Sequence, residues 1–137
     1  MEKFYLQATE LSPEILFSPA QGKFLIKGNS RPEDVRELYW PVIEWLNSYL
    51  DYLSEGSNNK YNDSNPLTFE FDLEYFNSSS AKFFYDIVMT IRKFPGANIP
   101  VRILWKYEEE DTDMKEAGED LAILAEIEFE YIQKEDL

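Results

Sequence analysis

Residues 67–82 read LTFEFDLEYFNSSSAK, and the hydrophobic period of the chain changes inside this stretch. Apolar and polar residues alternate up to Tyr75, which is the pattern of a strand with one buried face. After Ala81 the apolar residues recur every three or four positions, as on one face of a helix. The sequence therefore predicts a strand over 67–75 and a helix over 79–94, ended by Pro95 and Gly96.

Three consecutive hydroxyl residues, Ser78, Ser79 and Ser80, follow Asn77 where this helix is predicted to begin. A helix N-terminus has free backbone N–H groups and the positive end of the helix dipole. Serine and asparagine are common there as caps, because their side-chain oxygens accept one of these N–H groups. The same place also accommodates a phosphate group. These residues alone support both interpretations, helix capping and phosphorylation.

Composition excludes several classes of function. The 137 residues suffice for one domain, and a chain without cysteine or histidine has no disulfide, thiolate site or Ser-His-Asp triad. The net charge of −14 disfavours nucleic acid and anionic membrane surfaces and favours protein partners with basic patches. We see no signal peptide or membrane-spanning segment, expect no cofactor, and expect a cytoplasmic protein.

The remaining elements follow from turn residues and periodicity. A helix is predicted to start near Ser30 as its cap, with Pro32 in the first turn. Pro41 interrupts its apolar stripe, so we expect a kink over 37–41 or a restart there. The polar stretch 54–66 is predicted to be the most mobile internal loop, because it offers almost nothing to bury. The other predicted elements are strands over 3–8, 14–18, 23–27, 100–107 and 127–132 and a helix over 114–125.

In four of the predicted strands, the apolar residues occupy alternate positions that face the same side of the sheet. This pattern predicts that one sheet face is covered. Right-handed strand-helix-strand connections with all helices on that face place the strands across the sheet in sequence order. The expected fold is a single two-layer α/β domain, residues 1–137, with a mixed, mostly parallel sheet of five to six strands, three helices on one face and a charged, solvated opposite face. The inward residues are predicted to be Phe24, Ile26, Phe69, Phe71, Leu73, Tyr75, Val101, Ile103, Trp105, Tyr107, Ile127, Phe129 and Tyr131.

Two acidic clusters could carry chemistry. Glu70, Asp72 and Glu74 share the predicted outer face, where paired carboxylates could perform acid/base catalysis. Cross-strand pairing with basic residues on the neighbouring strands explains them as well. The acidic loop 108–113 lacks the spacing and the turn glycine of an EF-hand, so we expect no metal site there and interpret it as a solvated helix start.

Three aromatic residues, Tyr39, Trp40 and Trp45, lie close together in the helix that Pro41 interrupts. An aromatic stripe at helical spacing is usually core. Any of the three that is exposed is a candidate partner contact, because Trp and Tyr dominate binding hot spots.

An ordered set of short motifs resembles the SiaC family of bacterial regulatory phosphoproteins over nearly the whole chain. Each motif alone is weak evidence for the resemblance, and the order of the motifs along the chain makes the set specific. They are Ser12-Pro13-Glu14, Gly28-Asn29-Ser30-Arg31-Pro32-Glu33, Tyr39-Trp40-Pro41-Val42-Ile43-Glu44-Trp45-Leu46, Leu73-Glu74-Tyr75-Phe76-Asn77-Ser78-Ser79-Ser80, Tyr107-Glu108-Glu109-Glu110-Asp111 and Glu116-Ala117-Gly118-Glu119.

The resemblance implies a non-enzymatic phospho-switch, similar in logic to anti-sigma-factor antagonists of the STAS type. It implies that a dedicated protein kinase modifies the hydroxyl residue after Asn77 and that a PP2C-type phosphatase reverses this. The phosphoacceptor is then Ser78, with Ser79 and Ser80 as alternatives, and Tyr75, Asn77, Ser78 and Ser79 are expected to contact a partner. The unphosphorylated form is expected to bind and activate a diguanylate cyclase, linking the protein to cyclic di-GMP and biofilm control. The alternatives are a constitutive STAS-like scaffold and, from the residues, an acidic-site enzyme.

Overall fold

The computed structural model describes residues 1–56 and 60–135 of the chain. The strands are β1 (Phe4–Leu6), β2 (Glu14–Ser18), β3 (Lys23–Ser30), β4 (Leu67–Phe76), β5 (Val101–Glu108) and β6 (Glu130–Lys134). The helices are α1 (Val35–Glu55), α2 (Ser78–Ile91), the one-turn α3 (Lys93–Gly96) and α4 (Thr112–Ala125).

The six strands form one mixed sheet in the order β1-β2-β3-β4-β5-β6. β1, β2 and β3 pair antiparallel, and β3 to β6 pair parallel. The sequence order of the strands is the one predicted from right-handed connections with every helix on one face. The two-layer α/β prediction is confirmed, with six strands and three long helices in the described part of the chain.

The core lies between the sheet and the helices, and large aromatic residues fill much of it. Phe71 stacks on Trp105 with ring centroids 5.5 Å apart, and Trp105 stacks on Phe129 at 5.8 Å. The other sheet face carries the charged residues. There Lys106 lies 3.6 Å from Glu70, and Arg102 makes two hydrogen bonds of 2.6 and 2.7 Å to Glu130.

A β-bulge at the end of β4 reverses the side of the sheet that its last residues face. Gly28 is opposite Leu73, but the next residue, Asn29, is opposite Tyr75, so Glu74 is the extra residue. The prediction that Tyr75 points inward is therefore wrong: 52% of Tyr75 is exposed. Phe76 takes the inward position, with its ring centroid 5.2 Å from that of Phe84.

The cap of helix α1 lies four residues after Ser30, where it was predicted. Asp34 is the cap, and its carboxylate accepts the backbone N–H of Glu37 at 3.0 Å. Ser30 is instead the last residue of β3, opposite Phe76 of β4, and Pro32 precedes the helix. Pairing with the neighbouring strand thus outweighs the local capping preference of Ser30. Helix α1 is continuous through Pro41 and does not restart there.

Helix α2 is shorter at its C-terminal end than predicted. It ends at Ile91, and Pro95 and Gly96 lie in the separate turn α3. Proline has no N–H to donate to the carbonyl four residues earlier, here that of Ile91, so Pro95 adds no hydrogen bond that would extend α2.

Gly118 lets helix α4 approach the sheet closely. A Cβ atom at this position would lie 2.5 Å from two atoms of the Trp105 indole ring. The indole N–H of Trp105 donates to the carbonyl of Met114 at 2.9 Å, which fixes the ring under the same helix. Alanine at position 118 would force the ring or the helix to move.

The last strand and the polar loop also differ from prediction. β6 starts at Glu130 rather than residue 127, because its pairing with β5 begins where Glu130 is opposite Leu104. Residues 57–59 of the predicted mobile loop lie outside the described residues. The expectation that this loop has almost nothing to bury is wrong for Tyr61, which is buried and hydrogen-bonded to the Tyr49 hydroxyl at 2.8 Å.

Candidate functional site

Three helices begin at the same edge of the sheet. The parallel strands β3, β4 and β5 end there, and α1, α2 and α4 start directly after them. The predicted serine run lies in the middle of this edge, between the start of α1 and the start of α4. In open α/β sheets the carboxyl ends of the strands are the usual place for binding sites.

Asn77 is the cap that holds the start of α2. Its side-chain oxygen accepts the backbone N–H of Ser80 at 2.9 Å and the hydroxyl of Ser79 at 3.1 Å. Its own N–H donates to the carbonyl of Ser30 at 3.0 Å, and its carbonyl accepts the N–H of Ala81 at 3.0 Å. The capping expected of this junction is therefore performed by Asn77, which leaves the serines available for other roles.

The three serines have different surroundings. Ser80 is fully buried, whereas Ser78 and Ser79 are exposed. The Ser79 hydroxyl is engaged with Asn77. Within residues 1–56 and 60–135, the Ser78 hydroxyl makes no hydrogen bond, and it lies at the first position of α2. Of the two exposed serines, Ser78 is thus the one whose hydroxyl is not engaged by another described residue.

A buried hydroxyl network lies directly beneath the exposed serines. The Ser30 hydroxyl donates to that of Ser80 at 2.8 Å, and the Ser80 hydroxyl donates to the Ser30 carbonyl at 3.1 Å. Because Ser30 has only one hydroxyl proton, its contact with the Tyr39 hydroxyl must use the Tyr39 proton. Burial raises the pKa of Tyr39 far above its ordinary value, so this donor keeps its proton at neutral pH.

This network was not predicted from the sequence, although part of its signal is visible there. Ser80 precedes Phe84, Ile87 and Ile91 by four, seven and eleven residues, which places it on the buried stripe of α2. A hydroxyl on an apolar stripe requires a buried partner. Nothing local to Ser30 indicates that it is that partner.

The predicted partner-contacting residues lie together at the junction. Tyr75, Ser78 and Ser79 are exposed and Asn77 is half-buried. Trp40, next to Tyr39 of the buried network, is also exposed and lies beside Arg36, whose guanidinium carbon is 5.6 Å from the ring centroid. The exposed Trp40 is thus a candidate contact, whereas Tyr39 is core.

The acidic residues considered for catalysis are arranged for structural pairing. Lys106 pairs with Glu70, and Lys134 pairs with Asp72 at 2.8 Å. Glu74 is the exposed bulge residue of β4. In the acidic loop, Asp111 caps α4 by accepting the N–H of Met114 at 3.0 Å. The part of the chain that the structure describes contains no group of three or more acidic residues placed to hold a metal ion.

Among the described helices, none is both long and apolar enough to span a lipid bilayer.

Comparison with known proteins agrees with the fold and the motifs. A chain of the crystal structure of diguanylate cyclase SiaD in complex with its activator SiaC, from Pseudomonas aeruginosa, superposes with a TM-score of 0.79 and 24% identity over 96% of this chain and 99% of the other. The crystal structure of apo-SiaC from the same organism gives a TM-score of 0.77 and 24% identity over the same shares. At this identity these likenesses show the fold.

Sequence comparison carries the family assignment. An uncharacterized protein of Pseudomonas aeruginosa strain UCBPP-PA14 is 27% identical over 120 residues, which cover 88% of this chain and 87% of that protein. The family model described as SiaC family regulatory phosphoprotein matches residues 6–134. The chain therefore belongs to the SiaC family of regulatory phosphoproteins.

Proposed function

We propose that this protein is a non-enzymatic phospho-switch, that the whole chain 1–137 acts as one regulatory domain, and that Ser78 is its phosphoacceptor. The single observation that carries the proposal is the exposed Ser78 hydroxyl, which is free of hydrogen bonds within the described residues, at the first position of a helix already capped by Asn77. A kinase and a phosphatase can both reach such a hydroxyl without unfolding the helix.

The neighbouring serines fit this role less well. A kinase could reach the Ser80 hydroxyl only by breaking the buried contacts with Ser30. Modification of Ser79 would remove its donor contact to the oxygen of the Asn77 cap. Ser78 can be modified without breaking any of these contacts.

The fold can accept a phosphate at Ser78. Asn77 accepts the N–H groups of Ser80 and Ala81, so those of Ser78 and Ser79 are left without a partner among the described residues and face the outside of the helix start. A phosphoserine carries a charge of about −1.5 to −2 and three acceptor oxygens. The free N–H groups and the helix dipole stabilise that charge, and this offsets repulsion within a protein of net charge −14.

The partner in this proposal is a diguanylate cyclase, bound and activated by the unphosphorylated form. Support comes from the family assignment and from the likeness to SiaC, which is the activator of the cyclase SiaD in the complex named above. A phosphate on Ser78 adds bulk and charge beside the exposed Tyr75, so an interface formed over a neutral hydroxyl would be disrupted.

Tagged wild-type protein, Ser78→Ala, Ser78→Asp and the neighbouring control Ser79→Ala can be expressed in the source cells and used to recover bound proteins. Mass spectrometry should find phosphate on Ser78 and a cyclase bound to wild type, Ser78→Ala and Ser79→Ala, with much less bound to Ser78→Asp. The recovered cyclase should produce more cyclic di-GMP when unphosphorylated protein is added. Equal recovery with all four proteins and no phosphate on Ser78 would instead support a constitutive scaffold.

A further inference from the structure

An open groove of about 580 Å³ lies between α4 and β6, the last strand of the sheet. Ile123 lines it from α4, and Phe129 and Tyr131 line it from the segment that forms β6. Gly118 of α4 packs on Trp105 of β5, so α4 does not cover the helix side of β6 completely and Tyr131 is only half-buried. Ile123 is 74% exposed, which makes it the most prominent apolar side chain of the groove.

Strand β6 also presents an open edge beside this groove. Within residues 1–56 and 60–135 it pairs only with β5. Its five residues, Glu130–Lys134, contain no proline and pair with β5 without a register shift. An edge strand without a proline or a bulge presents unpaired backbone N–H and C=O groups to which another strand can bind.

The charges around the groove indicate the chemistry of what binds. Of the described residues that line it, Glu119, Glu126 and Glu128 are acidic and none is Lys or Arg. Glu126 lies 3.8 Å from Arg92, and 78% of its side chain is exposed. Burial raises the pKa of Tyr131, and the negative charge of Glu119 raises it further, so this charge acts inside the groove. Basic groups are therefore favoured here.

Two kinds of occupant fit this place less well than a basic extended segment. A second copy of this chain would bring the same glutamates and a further net charge of −14, and like charges disfavour such pairing. A helix pairs its backbone groups within itself and could not use the open edge. An extended segment pairs with the edge and directs alternate side chains into the groove.

We propose that β6 binds an extended basic segment of a partner protein, which adds a strand to the sheet beyond β6. Apolar side chains of that segment contact Ile123 and Tyr131, and its Lys or Arg side chains lie beside Glu119 and Glu128. Side chains on the other face of the added strand lie beside Ile132, which is 38% exposed on the charged sheet face.

This site is separate from the junction that carries Ser78. Glu119, Ile123 and Glu126 share one face of α4, at spacings of four and three residues. Leu124 lines a different surface of the same helix, together with Tyr85 of α2. Phosphate on Ser78, at the start of α2, therefore leaves the edge of β6 open. The proposal goes beyond the proposed function, because it predicts binding at β6 in both states of the switch.

A synthetic peptide of about nine residues that alternates Val and Lys probes this edge. Its affinity for the full chain can be measured by calorimetry for wild type, Ile123→Gln and the matched control Leu124→Gln. The two residues are adjacent in α4 and are 74% and 68% exposed, so neither change should unfold the chain. Ile123→Gln should weaken binding about tenfold, and Leu124→Gln should change it by less than about twofold. Ser78→Asp should also bind within about twofold of wild type.

Altered peptides test the backbone pairing and the charge. N-methylation of every second residue removes the N–H groups along one edge of the peptide, and the complementary set of residues removes those along the other edge. One of these two peptides should bind at least about tenfold more weakly than the parent, and the other should bind like it. A peptide with Glu in place of Lys should also bind at least about tenfold more weakly. Binding of the parent peptide should slow amide exchange within Glu130–Lys134.

Equal losses for Ile123→Gln and Leu124→Gln, equal binding of the two N-methylated peptides, or equal binding of the acidic peptide would overturn the proposal. Self-association of the unliganded chain that Ile132→Lys abolishes would overturn it in favour of a second copy. A loss of about tenfold in Ser78→Asp would place the peptide at the start of α2 and would overturn it as well.

Discussion

Ser30 and Ser80 are hydrogen-bonded through their hydroxyl groups at 2.8 Å although fifty positions separate them in the chain. This contact joins the end of β3 to the first turn of α2, directly beneath the exposed Ser78. With Tyr39 it also connects α1 to the same point. Contacts with β3 and α1 therefore fix the position of the start of α2, which carries the proposed phosphoacceptor Ser78.

Replacing Ser80 with alanine should destabilise the fold. The variant leaves the buried Ser30 hydroxyl without its acceptor, and an unsatisfied buried donor costs about 1–3 kcal/mol. The control Ser79→Ala changes an exposed residue and should cost no more than about 0.5 kcal/mol. Urea unfolding of both variants gives the two free energies, and equal values would show that the buried contact contributes nothing.

Replacing the cap Asn77 should reduce the stability of the fold more than replacing the proposed phosphoacceptor Ser78. Asn77→Ala removes the oxygen that accepts the Ser80 N–H and should cost about 1 kcal/mol. Ser78→Ala removes a hydroxyl without a hydrogen bond in the described part of the chain and should change the free energy of unfolding by less than about 0.5 kcal/mol. If thermal melting shows a larger loss of stability in Ser78→Ala than in Asn77→Ala, Ser78 rather than Asn77 would be the cap of α2.

Gly118→Ala should destabilise the packing of α4 on the sheet. A Cβ atom 2.5 Å from the Trp105 indole is overpacked, which typically costs about 1–3 kcal/mol. Alanine is the better helix former by about 1 kcal/mol, so part of the loss is offset. Gly96→Ala is the control, because a Cβ atom there meets nothing within 4 Å. Calorimetric melting that shows no difference between the two variants would mean that Trp105 moves aside freely.

Stability should fall at alkaline pH in a way that depends on Tyr39. Burial raises the pKa of Tyr39 in the folded protein, whereas in the unfolded chain it ionises near its ordinary value of about 10. Above that pH the unfolded state binds fewer protons than the folded state, so the free energy of unfolding decreases as pH rises. Tyr39→Phe should show a shallower decrease between about pH 9 and 11 in urea unfolding. Parallel curves for wild type and variant would contradict a buried, neutral Tyr39.

Side-chain periodicity was sufficient to predict the architecture. Phe69, Phe71 and Ile103 face the helices because strand residues alternate, and the order of the strands follows from the handedness of their connections. The start of α2 was predicted within one residue, since Asn77 is a strong local cap signal. These features depend on short stretches of chain.

The features that were missed depend on pairing between distant segments. The bulge at Glu74, which turns Tyr75 outward, exists only in the register between β3 and β4. Ser30 and Asp34 are both good caps, and only the pairing of Ser30 with β4 excludes it from that role. Lys134 was not expected to pair with Asp72, because β6 was predicted to end at residue 132. The accessible Ser78 was identified from the family motif, whereas the burial of Ser80 emerged from the structure.

Phosphate on Ser78 is predicted to release the partner while the domain stays folded. The direct measurement is the affinity of stoichiometrically phosphorylated and unmodified protein for the recovered cyclase by calorimetry, with thermal melting of each form alone. We predict that the phosphorylated form binds at least about 100-fold more weakly, a difference of about 2.7 kcal/mol, and melts within a few degrees of the unmodified form. Weak binding together with a collapsed melting transition would show that phosphate acts by unfolding α2. Equal affinity of the two forms would contradict the switch.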